Sequence, residues 1–236
     1  MTDRLHILVT GSSRGIGKAI VDALAGQRVV GHASKSGGPD RIAADLASPA
    51  AAAALWNEAL DRLDGRIHVL VNNAGIFEEA PIGLDEGEWL ARWERTMQVN
   101  LTASAQLCRL AVRHFLDRGG GRIVNVASRA AYRGDSPDHW HYAASKAGMI
   151  GITKTIARGY AGRGILAFAV CPGFTMTGMA EDYLGSRGGE KILADIPLGR
   201  VANPEEVGET VRWLATDAPP SATGAVIDVN GASFVR

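Results

Sequence analysis

The stretch Leu5-His6-Ile7-Leu8-Val9-Thr10-Gly11-Ser12-Ser13-Arg14-Gly15-Ile16-Gly17 decides the fold. Its opening residues form a short, nearly continuous apolar run, the pattern of a strand buried on both faces of a parallel sheet. The glycines that follow let the backbone turn sharply, and the residues through Ala25 read as a helix. A glycine-rich turn between strand and helix brings backbone amides and the positive end of the helix dipole to one point. That arrangement suits a pyrophosphate. Gly11, Ser13, Arg14, Gly15, Ile16 and Gly17 are therefore candidate dinucleotide contacts.

Outward from this unit the same alternation recurs. Arg28 to Ala33, Ile67 to Val71, Arg122 to Ala127, Ile165 to Val170 and Ala225 to Val229 read as short strands, with Ile42 to Asp45 a weaker one. Helical stretches lie between them. Ser48-Pro49 offers an N-cap and a first-turn proline, with Gly65 as the stop of that helix, and Asn203-Pro204-Glu205-Glu206 opens another helix by the same logic. Further helices are expected from near Asp85 past Trp89, Trp93 and Met97, and from about His139 to Tyr160. The expectation is an α/β fold: one Rossmann-type, doubly wound parallel sheet of about seven strands with helices on both faces, residues 1–236 forming a single domain. The glycine-rich, weakly periodic segment at about 175–197 is expected to be a substrate lid.

Composition excludes several classes. The 25 basic and 25 acidic residues cancel, without a dense cationic run, so nothing marks a nucleic-acid or anionic-membrane partner. The N-terminus runs directly into the first strand with no long apolar segment, so a cytoplasmic protein is expected. Cys108 and Cys171 sit apart in apolar surroundings and read as buried, reduced thiols, and no metal cluster is expected.

Which dinucleotide is bound turns on the end of the second strand. An acid there would hold a ribose 2′-hydroxyl and repel a 2′-phosphate. In its place stand His32, Ser34 and Lys35, and Arg14 adds a second cation, which predicts NADP(H), with NAD(H) as the alternative. The link from second to third strand is only about ten residues, too short for a full crossover helix. Asp45, with Leu46 beside it, is placed to meet an adenine amino group. Asn73, Ala74 and Gly75 form a small-residue turn able to pass beneath the adenosine ribose, and the side chains of Asn72 and Asn73 can cross-link strand ends.

A second group of residues points to acid–base chemistry. Tyr142 and Lys146 are four residues apart on one helix face, and an ammonium close to a phenol favours the phenolate. Ser128 follows the fifth strand at the carboxyl edge of the sheet, where its hydroxyl can polarise a substrate oxygen. Pro172-Gly173-Phe174-Thr175-Met176-Thr177 leaves the sixth strand at that same edge. Asn100 is a poor helix former within an apolar helical stretch and needs partners if buried. Between Ser128 and Tyr142, the polar and bulky segment that includes Arg133 and His139-Trp140-His141 reads mainly as surface, with Trp140 or His141 the first candidates for a role in substrate choice.

Taken in order, Thr10-Gly11, Asn72-Asn73-Ala74-Gly75, Asn100, Ser128, Tyr142/Lys146, Pro172-Gly173 and Val229-Asn230-Gly231 resemble the short-chain dehydrogenase/reductase family over the whole chain. The Arg14-bearing loop and Ile196-Pro197-Leu198-Gly199-Arg200 are most similar to its 3-oxoacyl-carrier-protein reductases. The resemblance implies hydride exchange between a ketone and a secondary alcohol, on an acyl thioester or another small carbonyl compound. Tyr142 would transfer the proton, Lys146 would hold the nicotinamide ribose and lower the pKa of Tyr142, and Ser128 would bind the substrate oxygen. Asn100 would anchor a water leading from Lys146 to solvent. Tyr142, Lys146, Pro172, Gly173, Thr175 and Thr177 would face the nicotinamide half, Thr175 through its backbone alone. It further implies a homo-oligomer, a tetramer in most relatives. Sugar, polyol or steroid dehydrogenases of the same family, and a dinucleotide sensor without turnover, are the other readings.

Overall fold

The computed structural model describes residues 4–177 and 193–236. Seven parallel strands form one sheet in the order β3-β2-β1-β4-β5-β6-β7. They are β1 His6–Val9, β2 Arg28–Ala33, β3 Arg41–Ala43, β4 Val69–Asn72, β5 Gly121–Val126, β6 Ile165–Pro172 and β7 Val226–Val229. Around them lie α1 Gly15–Ala23, α2 Ala51–Arg62, α3 Glu86–Met97, α4 Ala103–Arg118, α5 Ala130–Arg133, α6 Trp140–Tyr160 and α7 Pro204–Thr216.

Strand residues alternate between two cores, as a period of two requires. Leu8, Val30, Leu70, Ile123 and Ala167 face one side, where α2 and α4 cover them with Leu55, Trp56, Leu107 and Phe115. Ile7, Val9, Val71, Val124 and Phe168 face the other and meet Ile20 of α1 and Val207, Val211 and Leu214 of α7. Burial on both faces is why these strands read as unbroken apolar runs.

The sheet reverses its winding at the β1/β4 neighbours, where Val9 pairs with Val71. This switch point is where open α/β sheets leave a crevice beyond their carboxyl ends. The link from β2 to β3 is indeed short: Ser34 to Asp40, all exposed, held by the Gly38–Arg41 bridge and by Arg62 donating to the carbonyls of Gly38 (2.8 Å) and Pro39 (3.2 Å).

Two local expectations need correcting. Ser48 does not cap α2, which begins at Ala51 with no side-chain cap. Asp45 organises a turn there first, accepting from the amide of Ala47 on its carboxylate (3.1 Å) and from that of Ser48 on its carbonyl (2.9 Å). Asn100, for its part, lies within a π-helical turn, Gln98–Thr102, that joins α3 to α4. Asn203 does open α7 with a complete capping box. Of the expected lid, residues 178–192 lie outside the described residues.

Candidate active site

The loop after β1 is tied directly to the loop after β4. The Thr10 hydroxyl accepts from the amides of Asn73 and Ala74, and the Asn73 amide side chain donates to the carbonyls of Thr10 and Gly11, each at 3.0 Å. Gly11, at φ +66°, lies so close to this second loop that a Cβ would sit 2.7 Å from the Ala74 Cα. At Gly17 a Cβ would sit 2.0 Å from the Gly11 carbonyl oxygen. No side chain caps α1 and no acid occupies its first turn, so the helix N-terminus is open to an anion. Ser13 and Arg14 are exposed beside it, and Gly15 faces the Thr177 methyl. A tight glycine turn, an uncapped helix N-terminus and the exposed Ser13 and Arg14 beside it fit a dinucleotide pyrophosphate.

His32 and Leu46 play other parts than expected. The His32 ring is buried beneath the glycine loop: Nδ1 accepts from the Gly11 amide (3.1 Å) and Nε2 donates to the Ala44 carbonyl (2.8 Å). Both nitrogens are thus committed to the protein, and burial lowers the pKa and keeps the ring neutral. His32 is a strut for the loop. The Leu46 side chain belongs to the core, again with no surface to offer a ligand. Ser34, Lys35 and Asp45 are exposed, and among the described residues Arg14 and Lys35 make no ion pair.

At the other end of the crevice, the fully buried Asn100 makes the three contacts that its burial demands. Its Oδ1 accepts from the Ile76 amide (2.8 Å), and its Nδ2 donates to the Ile76 carbonyl (3.0 Å) and the Ser145 hydroxyl (3.3 Å). Gly75 lies just before, where a Cβ would be 3.4 Å from both Asn100 Oδ1 and Lys146 Nζ. Lys146 is buried and donates to the Val126 carbonyl at the end of β5 (2.9 Å). Asn72 reaches Asn125 (2.9 Å), which reaches the Thr153 hydroxyl (2.8 Å), so strand ends are cross-linked as expected and α6 is joined to them.

Ser128 follows β5, its hydroxyl accepting from the Ala130 amide (3.1 Å) and lying close enough to the Tyr142 phenol to lower its pKa. The expected acidification of that phenol by Lys146 is absent. Burial dominates and pushes Tyr142 up to about 12, the Ser128 hydroxyl opposing it, while burial brings Lys146 down to about 8. The Lys146 nitrogen is turned to Val126 and stands 5.8 Å from the phenol ring centre. Distance and desolvation together outweigh the attraction.

Beyond β6, Gly173 packs on Asn230 so closely that a Cβ would lie 2.8 Å from the Asn230 Cβ, and Thr175 bridges to Ala202. The wall before Tyr142 is less superficial than expected. His139 and His141 are buried, Trp140 is exposed, and the three join Phe77, Trp89 and Trp93 in a continuous aromatic layer. Phe77 was missed from sequence; its only signal was a large aromatic directly after the Asn-Asn-Ala-Gly turn and Ile76.

The carboxyl ends of β1, β4, β5 and β6 thus bring the glycine loop, Asn100, Ser128, Tyr142 and Lys146 to one edge. Residues 11–232 match the family model described as enoyl-(acyl carrier protein) reductase. The chain belongs to the short-chain dehydrogenase/reductase family. It is 40% identical to the 3-oxoacyl-[acyl-carrier-protein] reductase of Synechocystis sp., covering 95% of this chain and 94% of that protein. It is 33% identical to the same-named protein of Escherichia coli over 97% and 96%. Among solved structures, a putative NAD(P)-dependent gluconate 5-dehydrogenase from Beutenbergia cavernae with bound NADP superposes with a TM-score of 0.88 at 32% identity, covering 98% of this chain and 97% of that one.

Proposed function

We propose that the chain is an NADPH-dependent carbonyl reductase that converts a ketone to a secondary alcohol, with a 3-oxoacyl thioester as the substrate class its relatives suggest. One observation carries the reading: the Ser128 hydroxyl and the Tyr142 phenol meet beside a buried Lys146, at the sheet edge that also holds the glycine loop. The dinucleotide would be held by Gly11, Ser13, Arg14, Gly15, Ile16 and Gly17 at the pyrophosphate and by Ser34, Lys35 and Arg14 at the 2′-phosphate. Asp45, Asn73, Ala74 and Gly75 would line the adenosine half, and Tyr142, Lys146, Pro172, Gly173, Thr175 and Thr177 the nicotinamide half. When bound, it supplies the hydride that reaches the carbonyl carbon.

The protein's own groups act on the carbonyl oxygen. The Ser128 hydroxyl orients that oxygen, and Tyr142, which keeps its proton up to about pH 12, delivers the proton as negative charge develops. Lys146, charged below about pH 8, would donate to the nicotinamide ribose hydroxyls. Asn100 holds the π-helical turn against Ile76, and the water it would anchor gives a route by which the proton is replenished from solvent past Lys146. Two hydroxyls converging on one oxygen suit a carbonyl better than a carbon–carbon double bond, which needs its proton at carbon. The NADP bound at low occupancy in the B. cavernae neighbour and the cations Arg14 and Lys35, without ion pairs among the described residues, both favour NADP(H).

Tyr142→Phe is expected to lower ketone turnover by about 10²-fold to 10⁴-fold while NADPH binding persists. Unchanged turnover would remove Tyr142 from the mechanism. No helix among the described residues is long and apolar enough to cross a membrane. A cytoplasmic homotetramer, with 175–197 acting as the lid of a single domain, completes the reading, and light scattering giving a stable monomer would overturn the assembly.

A further inference from the structure

Phe77 stands two residues beyond Gly75, and its position is fixed from behind because Asn100 clasps both backbone polar groups of Ile76. Its ring lies flat on His139, with centroids 3.8 Å apart and planes 5° from parallel, and meets the Tyr142 ring edgewise at 4.7 Å. His139 is 5% exposed; one nitrogen is joined to the Ser136 hydroxyl (2.6 Å), and the other is buried without a partner among the described residues. The Ala80 amide donates to the Asp138 carbonyl (2.8 Å), which locks the Phe77 loop to the His139 loop. Yet Phe77, braced in this way, leaves 45% of its surface exposed. A ring held on two sides, open to solvent and touching the proton donor, is built to receive something flat.

We propose that the stacked Phe77–His139 pair is a specificity wall that selects ketones carrying a planar apolar group, an aryl or unsaturated ring, next to the carbonyl. It rests on the reading of Tyr142 as proton donor. Such a group would extend the stack and cover the open part of Phe77 while its carbonyl oxygen reaches Ser128 and Tyr142. Offset and edge-to-face ring contacts favour this over a hydroxylated chain, which would lose hydration against an apolar ring.

The test is steady-state reduction by the full chain with NADPH of ethyl benzoylacetate, the N-acetylcysteamine thioester of acetoacetate and a polyhydroxy ketone. For Phe77→Ala, kcat/KM for the aryl substrate should fall about ten-fold, equivalent to ~1.4 kcal/mol, mostly through KM, with the acetoacetyl thioester changed less than about two-fold. Phe77→Tyr should retain the aryl preference and Phe77→Leu lose it. NADPH binding by fluorescence should be unchanged in all three, and each should still unfold cooperatively, Phe77→Ala and Phe77→Leu a few degrees below the parent. Equal losses on all three substrates, or none, would overturn the wall while leaving the catalytic reading intact. A parent protein that binds NADPH but reduces no ketone would remove the catalytic reading and the wall with it.

Discussion

Burial acts on Tyr142 and Lys146 in opposite directions, and the two shifts together set a direction for the chemistry. The phenol is raised to about 12 and stays protonated across the neutral range, so it is a donor, as reduction requires. The ammonium is lowered to about 8, so it holds its charge below that pH and loses it above. Reduction is therefore expected to be level through neutral pH and to fall above about pH 8, whereas oxidation of the product alcohol should rise with pH. Lys146→Arg, whose charge is permanent, should shift the alkaline fall in reduction upward. Initial rates in both directions from pH 6 to 10 check this, and a reduction rate that climbs from pH 8 to 10 would contradict it. That Tyr142 and Lys146 share one helix face was legible from the spacing, and their candidacy from the company of Ser128 and Asn100. The sign of the phenol's shift was not, because it depends on how much water the fold removes and on where the Lys146 nitrogen turns.

At the scale of elements, α7 matters to the site through α1. Gly208 of α7 lies against the α1 backbone, where a Cβ would be 2.8 Å from the Ala19 carbonyl oxygen, and α1 presents the glycine loop. The register of α7 is set by its start: the Asn203 amide donates to Glu206 (2.7 Å) in the capping box, and Arg200 grips the same carboxylate with two nitrogens (2.7 and 3.0 Å). Asn203→Ala is expected to cost about 1 kcal/mol, a fall of about 2–4 °C in melting temperature. Arg200 and the Asn203 amide hold Glu206 down at about 2 against an ordinary 4.5. Its contribution is therefore complete above pH 4.5 and lost as pH falls towards 2. Melts from pH 3 to 6 should show a shallower acid loss in Glu206→Gln than in the parent; parallel curves would sink the assignment. This cap was readable because its residues are consecutive, as were the strands, whose runs β1 to β7 follow to within about two residues. The start of α2 was misread because Asp45, three residues before Ser48, takes the amides first. Asn100 stood out in the sequence as a helix-disfavouring residue in need of partners, but the π-helical turn did not, since it answers to Ile76, 24 residues away in the chain. His32 was read as a ligand contact for a related reason: only the pairing of Val9 with Gly31 places its ring under Gly11.

At the scale of the molecule, the candidate dinucleotide contacts come from the ends of β1, β2, β3, β4 and β6 together with α6, so occupancy of the site should stabilise the whole sheet rather than one loop. A ligand that binds only the folded state adds RT ln(1 + [L]/Kd), about 2.7 kcal/mol at a concentration of 100 Kd. For a chain of this length, 1 kcal/mol corresponds to about 2–4 °C, so saturating NADPH should raise the melting temperature by about 5–10 °C. The exposed Arg14 and Lys35, without ion pairs among the described residues, attract a 2′-phosphate and gain nothing from a 2′-hydroxyl, so NADH at equal concentration should shift it less. Removing both cations, as Arg14→Ala with Lys35→Ala, should bring the two shifts together mainly by shrinking that of NADPH. Equal shifts in the parent would move cofactor selection away from the Ser34–Asp40 link, and a larger shift with NADH would reverse it.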